Sequence, residues 1–306
     1  MNARPQIELL IAPGGMEMFA SDTTVRVAGD VRLVDLQKKL AESNQWLAID
    51  GDENRTIAEL VECNSTGPLR LGFGGWRDIL LGCQFTNHAH ELITAGGRAV
   101  KNVAGYDLTK LMVGQRGQLG KIQNITARTY QLPVGSLLLT MPCSPIAVRQ
   151  FITGSVRAQW LIQTFDKLYA GLLGDQSTLD YFAREAGGFV GVESSRISLA
   201  KDTQFRAELF QWPGRTGRTG SFRASVPPMK ILEFVQTAGI GSENQISHWA
   251  ADPAFGIVVG YSDDHEKLRA AAKDVGGSLS ELTPDYRHIK LLQNLTAAFG
   301  KNGGPA

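Results

Sequence analysis

Residues 96–108 read GGRAVKNVAGYDL, and they lie at the centre of a glycine-dense segment that decides the fold. The segment opens with STGPLRLGFGGWRDILLG at residues 65–82 and closes with GQRGQLGKI at residues 114–122. Glycine adopts positive φ angles freely and lets a ligand lie against main-chain N–H groups, which stabilise phosphate oxygens. The stretch from Gly67 to Gly120 therefore predicts a binding site for a pyrophosphate.

Two common nucleotide-binding motifs do not fit this segment. Gly114, Gly117 and Gly120 give G-x-x-G-x-x-G, whereas the dinucleotide motif is G-x-G-x-x-G within a strand–helix–strand unit. The phosphate motif that contains Gly-Lys needs a glycine at position 115 and a hydroxyl residue at position 122. The chain has Gln115 and Ile122 there. Both motifs are excluded on spacing.

The three quoted pieces instead resemble, in order and spacing, the flavin-binding stretches of enzymes of the vanillyl-alcohol-oxidase type. Residues 96–108 are similar to the hallmark of the FAD-binding subunit of glycolate oxidase and its close relatives. For Lys101, Asn102 and Asp107, the alternative is that they hydrogen-bond the loop backbone. The resemblance implies cofactor contacts from Ser65, Thr66, Gly67, Pro68, Asp78, Gly82, Lys101, Asn102, Gly105, Tyr106, Asp107, Gly117, Leu119, Gly120 and Ile122.

The resemblance also implies a fold and an activity. We expect an α+β protein with a partial FAD-binding domain over residues 1–133, shortened at its N-terminus, and an α+β cap domain over residues 134–300. The last helix, Pro284 to Phe299, is expected to return to the first domain. The family oxidises a 2-hydroxy acid to a 2-oxo acid with FAD as the cofactor. The implied partners are a larger flavin subunit and an iron–sulfur subunit, in the cytoplasm or at the inner membrane through those partners.

The chain departs from the family pattern in two places. The matching region starts only near Ser21, so the residues before it are too few for the family's first glycine-rich subdomain. Where the family has a Gly-Gly pair, this chain has Ala58 and Glu59, and Gln115 and Gln118 replace small residues. A carboxylate beside a pyrophosphate repels it. We therefore expect FAD to be bound weakly or to have been lost.

The composition excludes several other classes of protein. Of 306 residues, 43% are hydrophobic and 20% are charged, and the net charge of +1 gives no strong field toward nucleic acid. The three cysteines are fewer than the four thiolates of an iron–sulfur cluster. No apolar stretch approaches the ~20 residues that span a bilayer, and residues 1–15 do not resemble a signal peptide. His88 and His90 are expected in an exposed turn, with no metal site.

Periodicity gives a coarse map of the secondary structure. It predicts helices over residues 33–43, 56–63, 145–151, 228–238 and 265–275. It predicts strands over residues 23–28, 46–49, 122–130, 136–141, 222–226 and 256–261, with a hairpin over residues 79–94. Strands interleaved with helices after Pro133 make the second half α+β, and that proline is the expected domain boundary.

The residues that contact substrate are the least defined by the sequence. Arg223 could present its guanidinium to a substrate carboxylate, and the alternative is a surface salt bridge. His248, His265 and His288 lie in no recognisable motif, so the catalytic base is left unassigned. Three hypotheses stay open: a working FAD-binding subunit of a glycolate oxidase complex, a flavin-free scaffold subunit of that complex, and an independent flavoenzyme.

Overall fold

The computed structural model describes residues 10–97, 107–187, 191–210, 221–240 and 249–280. It divides into two compact units. Of the described residues, the first contains 10–66, 74–97 and 107–132, and the second contains 67–73, 133–187, 191–210, 221–240 and 249–280. The expected helix from Pro284 to Phe299, and the predicted contacts Lys101, Asn102, Gly105 and Tyr106, lie outside the described residues.

Short helices accompany both units. They are α1 (Leu33–Ala41), α2 (Ile57–Glu62), α3 (Arg70–Phe73), α4 (Trp76–Ile79), α5 (Leu108–Met112), α6 (Pro145–Thr153), α7 (Gln176–Ala186), α8 (Leu199–Phe210), α9 (Ile231–Ala238) and α10 (His265–Asp274). Single 3-10 turns precede β2 and α9, at Ala20–Asp22 and Pro228–Lys230. No helix in the described ranges combines the length and the apolar character that crossing a membrane requires.

The first unit is built on a five-stranded antiparallel sheet. The strands described in this unit, inside and outside that sheet, are β1 (Met16–Phe19), β2 (Thr24–Ala28), β3 (Gln45–Trp46), β4 (Leu80–Thr86), β5 (Leu92–Gly96), β6 (Lys121–Arg128) and β7 (Tyr130–Gln131). The sheet order is β1-β2-β6-β4-β5, and β3 pairs separately with β7. The predicted hairpin is confirmed as β4–β5, with Gly82 opposite Gly96.

The core of the first unit lies against one face of this sheet. Helix α1 buries Leu33, Leu36 and Leu40, whose spacing of three and four residues keeps them on one side of the helix. Val25 and Val27 alternate along β2 and join the same core. The predicted helix and strand are thus confirmed by their burial. The strand predicted over 46–49 is shorter, because only Gln45–Trp46 pairs.

The second unit is built on an eight-stranded antiparallel sheet. Its strands are β8 (Gly135–Pro142), β9 (Trp160–Gln163), β10 (Lys167–Gly174), β11 (Glu193–Ser198), β12 (Ser221–Ser225), β13 (Trp249–Asp252), β14 (Ile257–Tyr261) and β15 (Ser278–Ser280). The order is β11-β8-β10-β9-β13-β14-β12-β15. One apolar cluster joins α9 and α10 to β12–β14, and another joins α6 and α7 to β8–β10. The interleaved strands and helices confirm an α+β second half.

Candidate functional site

Glycines open the backbone along one edge of the first unit. Gly82 on β4 is so close to the next strand that a Cβ there would lie 3.0 Å from the nitrogen of Gly97. Gly96 has φ +69°, and a Cβ on it would lie 2.2 Å from the carbonyl oxygen of Leu81. At Gly97 itself a Cβ would meet nothing within 4 Å. The hairpin therefore ends in backbone that a ligand can approach directly.

A buried polar network lies beside these glycines on the sheet face opposite the core. Arg26 donates to Oε1 of Gln84 over 3.0 Å, and Nδ2 of Asn124 donates to the same oxygen. Nε2 of Gln84 donates to Oγ1 of Thr94 over 3.1 Å. Arg26, Gln84 and Asn124 are each at most 7% exposed. These side chains line one small cavity together with Gly82, Gly96 and Gly97.

Two buried oxygens on this face lack partners. Oδ1 of Asn124 and Oγ1 of Thr24 make no hydrogen bond within the described part of the chain. A buried polar atom without a partner costs about 1–3 kcal/mol. A ligand with polar edges would relieve that cost. Asn124 lines the small cavity that Gly97 also borders, whereas Thr24 is not among the residues that line it.

The sequence did not identify this polar face. Thr24 and Arg26 alternate with Val25 and Val27, a pattern typical of a strand with one face in solvent. The signal that could have found it is the choice of polar side chain. Gln84 and Asn124 are uncharged amides in the middle of strands, and buried faces favour such groups over full charges.

The closing glycine turn, residues 114–120, is shaped by its glycines and held by Gln115. Gly117 has φ +78° with open space around it, whereas a Cβ on Gly120, at φ +146°, would lie 2.3 Å from the carbonyl oxygen of Thr86. Gln115 is 1% exposed, and its amide bonds both the nitrogen of Leu119 and the carbonyl of Gly120, over 2.8 and 3.0 Å. Gln115 therefore points into the turn and leaves the backbone of Gly117 accessible.

Two predicted contacts in this turn have their side chains elsewhere. Leu119 and Ile122 are 1% and 2% exposed and belong to the apolar core of the first unit. Only their backbone atoms could face a cofactor. A glycine-rich motif marks where the chain turns, but it does not tell which side of the turn each flanking side chain takes.

Two predicted acidic contacts serve as helix caps. Asp78 accepts the N–H of Gly75 over 2.8 Å at the start of α4, next to Gly74 at φ +82°. Asp107 accepts the N–H of Lys110 over 3.2 Å at the start of α5 and is exposed. Both roles satisfy N–H groups at a helix start. For Asp107 this agrees with the alternative that it bonds the loop backbone.

Glu59 is a capping residue on the surface. Its carboxylate accepts the N–H of Thr56 over 2.8 Å and the hydroxyl of Thr56 over 3.0 Å, and its own N–H donates to that hydroxyl. This is a capping box at the start of α2. The side chain therefore has a local reason to be acidic, whether or not a cofactor lies nearby.

The predicted stretch Ser65–Pro68 is divided between the two units. Ser65 donates its N–H to the carbonyl of Leu60 over 2.8 Å, directly after α2. Thr66 is the last residue of that part of the first unit, and Gly67 and Pro68 belong to the second. They lead into α3, where the N–H of Gly72 donates to the carbonyl of Gln159 over 2.9 Å.

Arg223 lies in a cluster of charged groups within the second unit. The pKa of its guanidinium is lowered by burial and by the positive charge of Arg70, and Asp252 acts in the opposite direction. Arg70 lies over the ring of Phe255, with its guanidinium carbon 4.2 Å from the ring centre. Within the described ranges no carboxylate lies within ion-pair distance of Arg223, so the alternative of a surface salt bridge has no partner there.

Histidine and cysteine side chains are the remaining groups that could bind a metal ion or react. The described ranges contain no group of three His, Cys, Asp or Glu side chains that could hold a metal ion. His88 and His90 are exposed, and Nε2 of His88 lies 2.8 Å from the carbonyl oxygen of Gln118. Burial raises the pKa of the Cys83 thiol to about 12, so this cysteine stays protonated at neutral pH.

Comparison with curated proteins finds relatives among oxidoreductases of hydroxy acids. The chain is 36% identical over 110 residues to the glycolate oxidase subunit GlcE of Escherichia coli, which covers 35% of this chain and 31% of that protein. It is 27% identical over 190 residues to the mitochondrial D-lactate dehydrogenase (cytochrome) of Arabidopsis thaliana, covering 62% of this chain and 28% of that protein. These matches span about a third of the relatives' own lengths. No protein-family model matches the chain.

Comparison with solved structures gives the fold. Alkyldihydroxyacetonephosphate synthase matches with a TM-score of 0.66 at 12% identity, over 92% of this chain and 63% of that one. The fold is that of this synthase, in agreement with the fold type that the sequence resemblance implies, and the predicted α+β class is confirmed.

Proposed function

We propose that this chain is an FAD-binding subunit of a glycolate oxidase-like complex that oxidises a 2-hydroxy acid to a 2-oxo acid. The observation that carries the proposal is the combination of open glycine backbone and unpartnered polar oxygens in a fold of this type. The sequence relatives named as hydroxy-acid oxidoreductases support the reaction class. The proposed location is the cytoplasm, with contact to the inner membrane through partner subunits.

The residues of the first unit would hold the cofactor mainly through backbone. Gly97 and Gly117 leave main-chain atoms accessible, Gly82 lets β4 lie close to Gly97, and Gly120 gives the turn its shape. Oδ1 of Asn124 offers a hydrogen-bond acceptor to a heterocyclic edge. The remaining predicted contacts are Ser65, Thr66, Gly67 and Pro68, together with those in residues 101–107. FAD, when bound, accepts the hydride that leaves the α-carbon of the hydroxy acid.

We propose that Arg223 anchors the carboxylate of the substrate. Its guanidinium has no hydrogen-bond or ion-pair partner within the described part of the chain and is half-buried, so it can accept a ligand. A planar guanidinium binds a carboxylate through two parallel hydrogen bonds. The residue that removes the hydroxyl proton is unassigned.

The proposed partners follow from where the electrons must go. An iron–sulfur cluster needs four thiolates, and this chain has three cysteines, of which Cys83 is buried and protonated. A larger flavin subunit and an iron–sulfur subunit would therefore accept the electrons. Co-expression of the chain with these two subunits tests this, because a complex should co-purify through a tag on this chain alone.

FAD binding tests the proposal directly. The purified chain is titrated with FAD, and the quenching of flavin fluorescence gives the affinity. Gly97→Ala should weaken binding, because a methyl group blocks the approach to backbone, while Gly187→Ala in the second unit should leave it unchanged. Bound flavin should lose its absorbance when glycolate or D-lactate is added without oxygen. Binding without bleaching would favour another substrate.

The alternative is a flavin-free scaffold subunit. One observation favours it: Ala58 and Glu59 replace the family's Gly-Gly pair, and Glu59 is committed to the capping box of α2. A complex that co-purifies without any FAD on this chain would establish the scaffold reading. An independent oxidoreductase would instead turn over substrate with no partner present.

A further inference from the structure

Two arginines and one aspartate from separate elements meet within the second unit. Arg223 lies on β12 next to Phe222 and Ala224, which face the core under α9 and α10. Asp252 ends β13 and follows Ala251, which faces the same core. Because successive strand residues alternate between faces, Arg223 and Asp252 share the opposite face of the sheet.

The register gives the spacing between these two groups. Arg223 pairs with Val259 on β14, and Asp252 pairs with Ile257 on the same strand. The two residues are therefore two strands and two register positions apart, which places their backbones roughly 12 Å from each other. An extended arginine side chain spans part of that distance, and the positive charge of Arg223 acts on the pKa of Asp252.

The turn after β13 ties Asp252 to the second arginine. The carboxylate of Asp252 accepts the N–H of Ala254 over 3.0 Å and also the N–H of Phe255. The guanidinium of Arg70 lies over the ring of that same Phe255, with its carbon 4.2 Å from the ring centre. One short turn thus fixes an anion and a cation close together, and Asp252 is 3% exposed.

The charges of this cluster do not balance. Two guanidinium groups face one carboxylate, and within the described ranges neither Arg70 nor Arg223 forms an ion pair. The nearby acid on α8, Asp202, is neutralised by Arg206 at 2.9 Å. The strand neighbour of Asp252 on β14 is Ile257, and β9 contributes Gln163 opposite Ala251; both are uncharged. One positive charge is left over.

We propose that Arg70 and Arg223 together bind one carboxylate, and that Asp252 restricts this site to monoanions. The inference rests on the proposed function for the identity of the ligand, a 2-hydroxy acid. A monocarboxylate such as glycolate or lactate neutralises the leftover charge. A dicarboxylate such as 2-hydroxyglutarate brings a second negative charge against the buried carboxylate of Asp252, which opposes it.

The site should respond to pH. Burial raises the pKa of Asp252 to about 7, against the lowering effects of its two N–H donors and of Arg70 and Arg223. When Asp252 takes up a proton, the cluster gains one positive charge. Hydroxy-acid carboxylates stay ionised between pH 6 and pH 8, since carboxyl pKa values lie near ~4. Affinity for the dianion should therefore rise as the pH falls through about 7.

Isothermal titration of the full-length protein with glycolate and with 2-hydroxyglutarate tests the inference without any flavin or turnover. At pH 8 we expect glycolate to bind about tenfold or more tightly than 2-hydroxyglutarate, and the preference should shrink at pH 6. Asp252→Asn should remove the preference at both pH values. The matched control Asp263→Asn changes an exposed aspartate of the same unit and should keep the wild-type preference.

The arginines and the fold are checked in the same experiment. Arg70→Gln and Arg223→Gln should each weaken glycolate binding about tenfold or more, because each removes a charged donor. If Asp252→Asn fails to fold, the pH dependence of the wild-type preference still decides. A preference that does not change with pH, or no binding of either anion, overturns the inference. FAD binding that persists in that case leaves the proposed function standing.

Discussion

At the scale of single residues, variants of Glu59 distinguish a structural role of this side chain from a role at the cofactor site. Its carboxylate completes the capping box of α2, and glutamine also serves in that position. Glu59→Gly should lower the free energy of unfolding by about 1 kcal/mol, whereas Glu59→Gln should change it little. Chemical denaturation of both variants measures this, with Glu53→Gln as a control on an exposed loop.

The same two variants test whether Glu59 lies near the pyrophosphate of bound FAD. We predict that Glu59→Gly strengthens FAD binding, because it removes a negative charge and a side chain together. Glu59→Gln removes the charge alone and should give part of that gain at full stability. Fluorescence titration with FAD compares them with wild type. Equal affinities in all three proteins would mean that Glu59 points away from the cofactor.

The buried pair Asp202–Arg206 holds α8 to the sheet of the second unit. Both side chains are at most 1% exposed, and Asp202 also accepts the indole N–H of Trp160 over 3.0 Å. Asp202→Ala leaves Arg206 buried without its partner and should destabilise the protein by about 3–5 kcal/mol. Thermal and chemical unfolding measure the loss. Glu42→Ala, which breaks an exposed pair with Lys39, should cost less than ~1 kcal/mol.

At the scale of secondary-structure elements, the sequence predicted the helices and strands whose apolar residues recur at a regular spacing. The β4–β5 hairpin and helices α1, α2, α9 and α10 were found because their buried residues repeat at the spacing of a strand or a helix. Strand β11, Glu193–Ser198, was missed. It reads ESSRIS and lies at the edge of its sheet with almost every residue exposed, so it needs no alternation of apolar side chains.

The candidate site was predicted less completely than the fold. Glycines at positive φ, such as Gly117 and Gly120, are visible in a sequence because few other residues tolerate that backbone. Asp252 and Arg70 were not singled out, because 182 positions separate them in the chain and only the contact of Arg70 with Phe255, in the turn after β13, brings them together. Contacts of that kind depend on tertiary structure, which local patterns do not encode.

Replacing Gly120 tests how much the conformation of the closing glycine turn, residues 114–120, contributes to the stability of the first unit. A Cβ at this position would collide with the carbonyl oxygen of Thr86 on β4, and the φ of +146° is strained for any L side chain. Gly120→Ala should therefore destabilise the first unit by about 1–3 kcal/mol. Gly97→Ala is the matched control, since open space surrounds that position. Denaturation midpoints should fall for the first variant and stay near wild type for the second.

At the scale of the whole molecule, Asp252 should make stability depend on pH. Its pKa is about 7 in the folded protein, and an unfolded aspartate has its ordinary value of 3.8. Between those two values the folded state holds a proton that the unfolded state has released. The contribution of Asp252 to the free energy of unfolding is therefore greatest below pH 3.8. It falls as the pH rises toward 7, because the carboxylate then becomes charged while it is buried.

Asp252→Asn removes this dependence, and the comparison with wild type isolates it from all other titrating groups. The variant should be the more stable protein at pH 8, by an amount on the order of a few kcal/mol, and the difference should vanish toward pH 4. Urea denaturation of both proteins across that range measures it, with Asp263→Asn as the exposed control. A difference that stays constant with pH would mean that the pKa of Asp252 is the same in the folded and the unfolded protein.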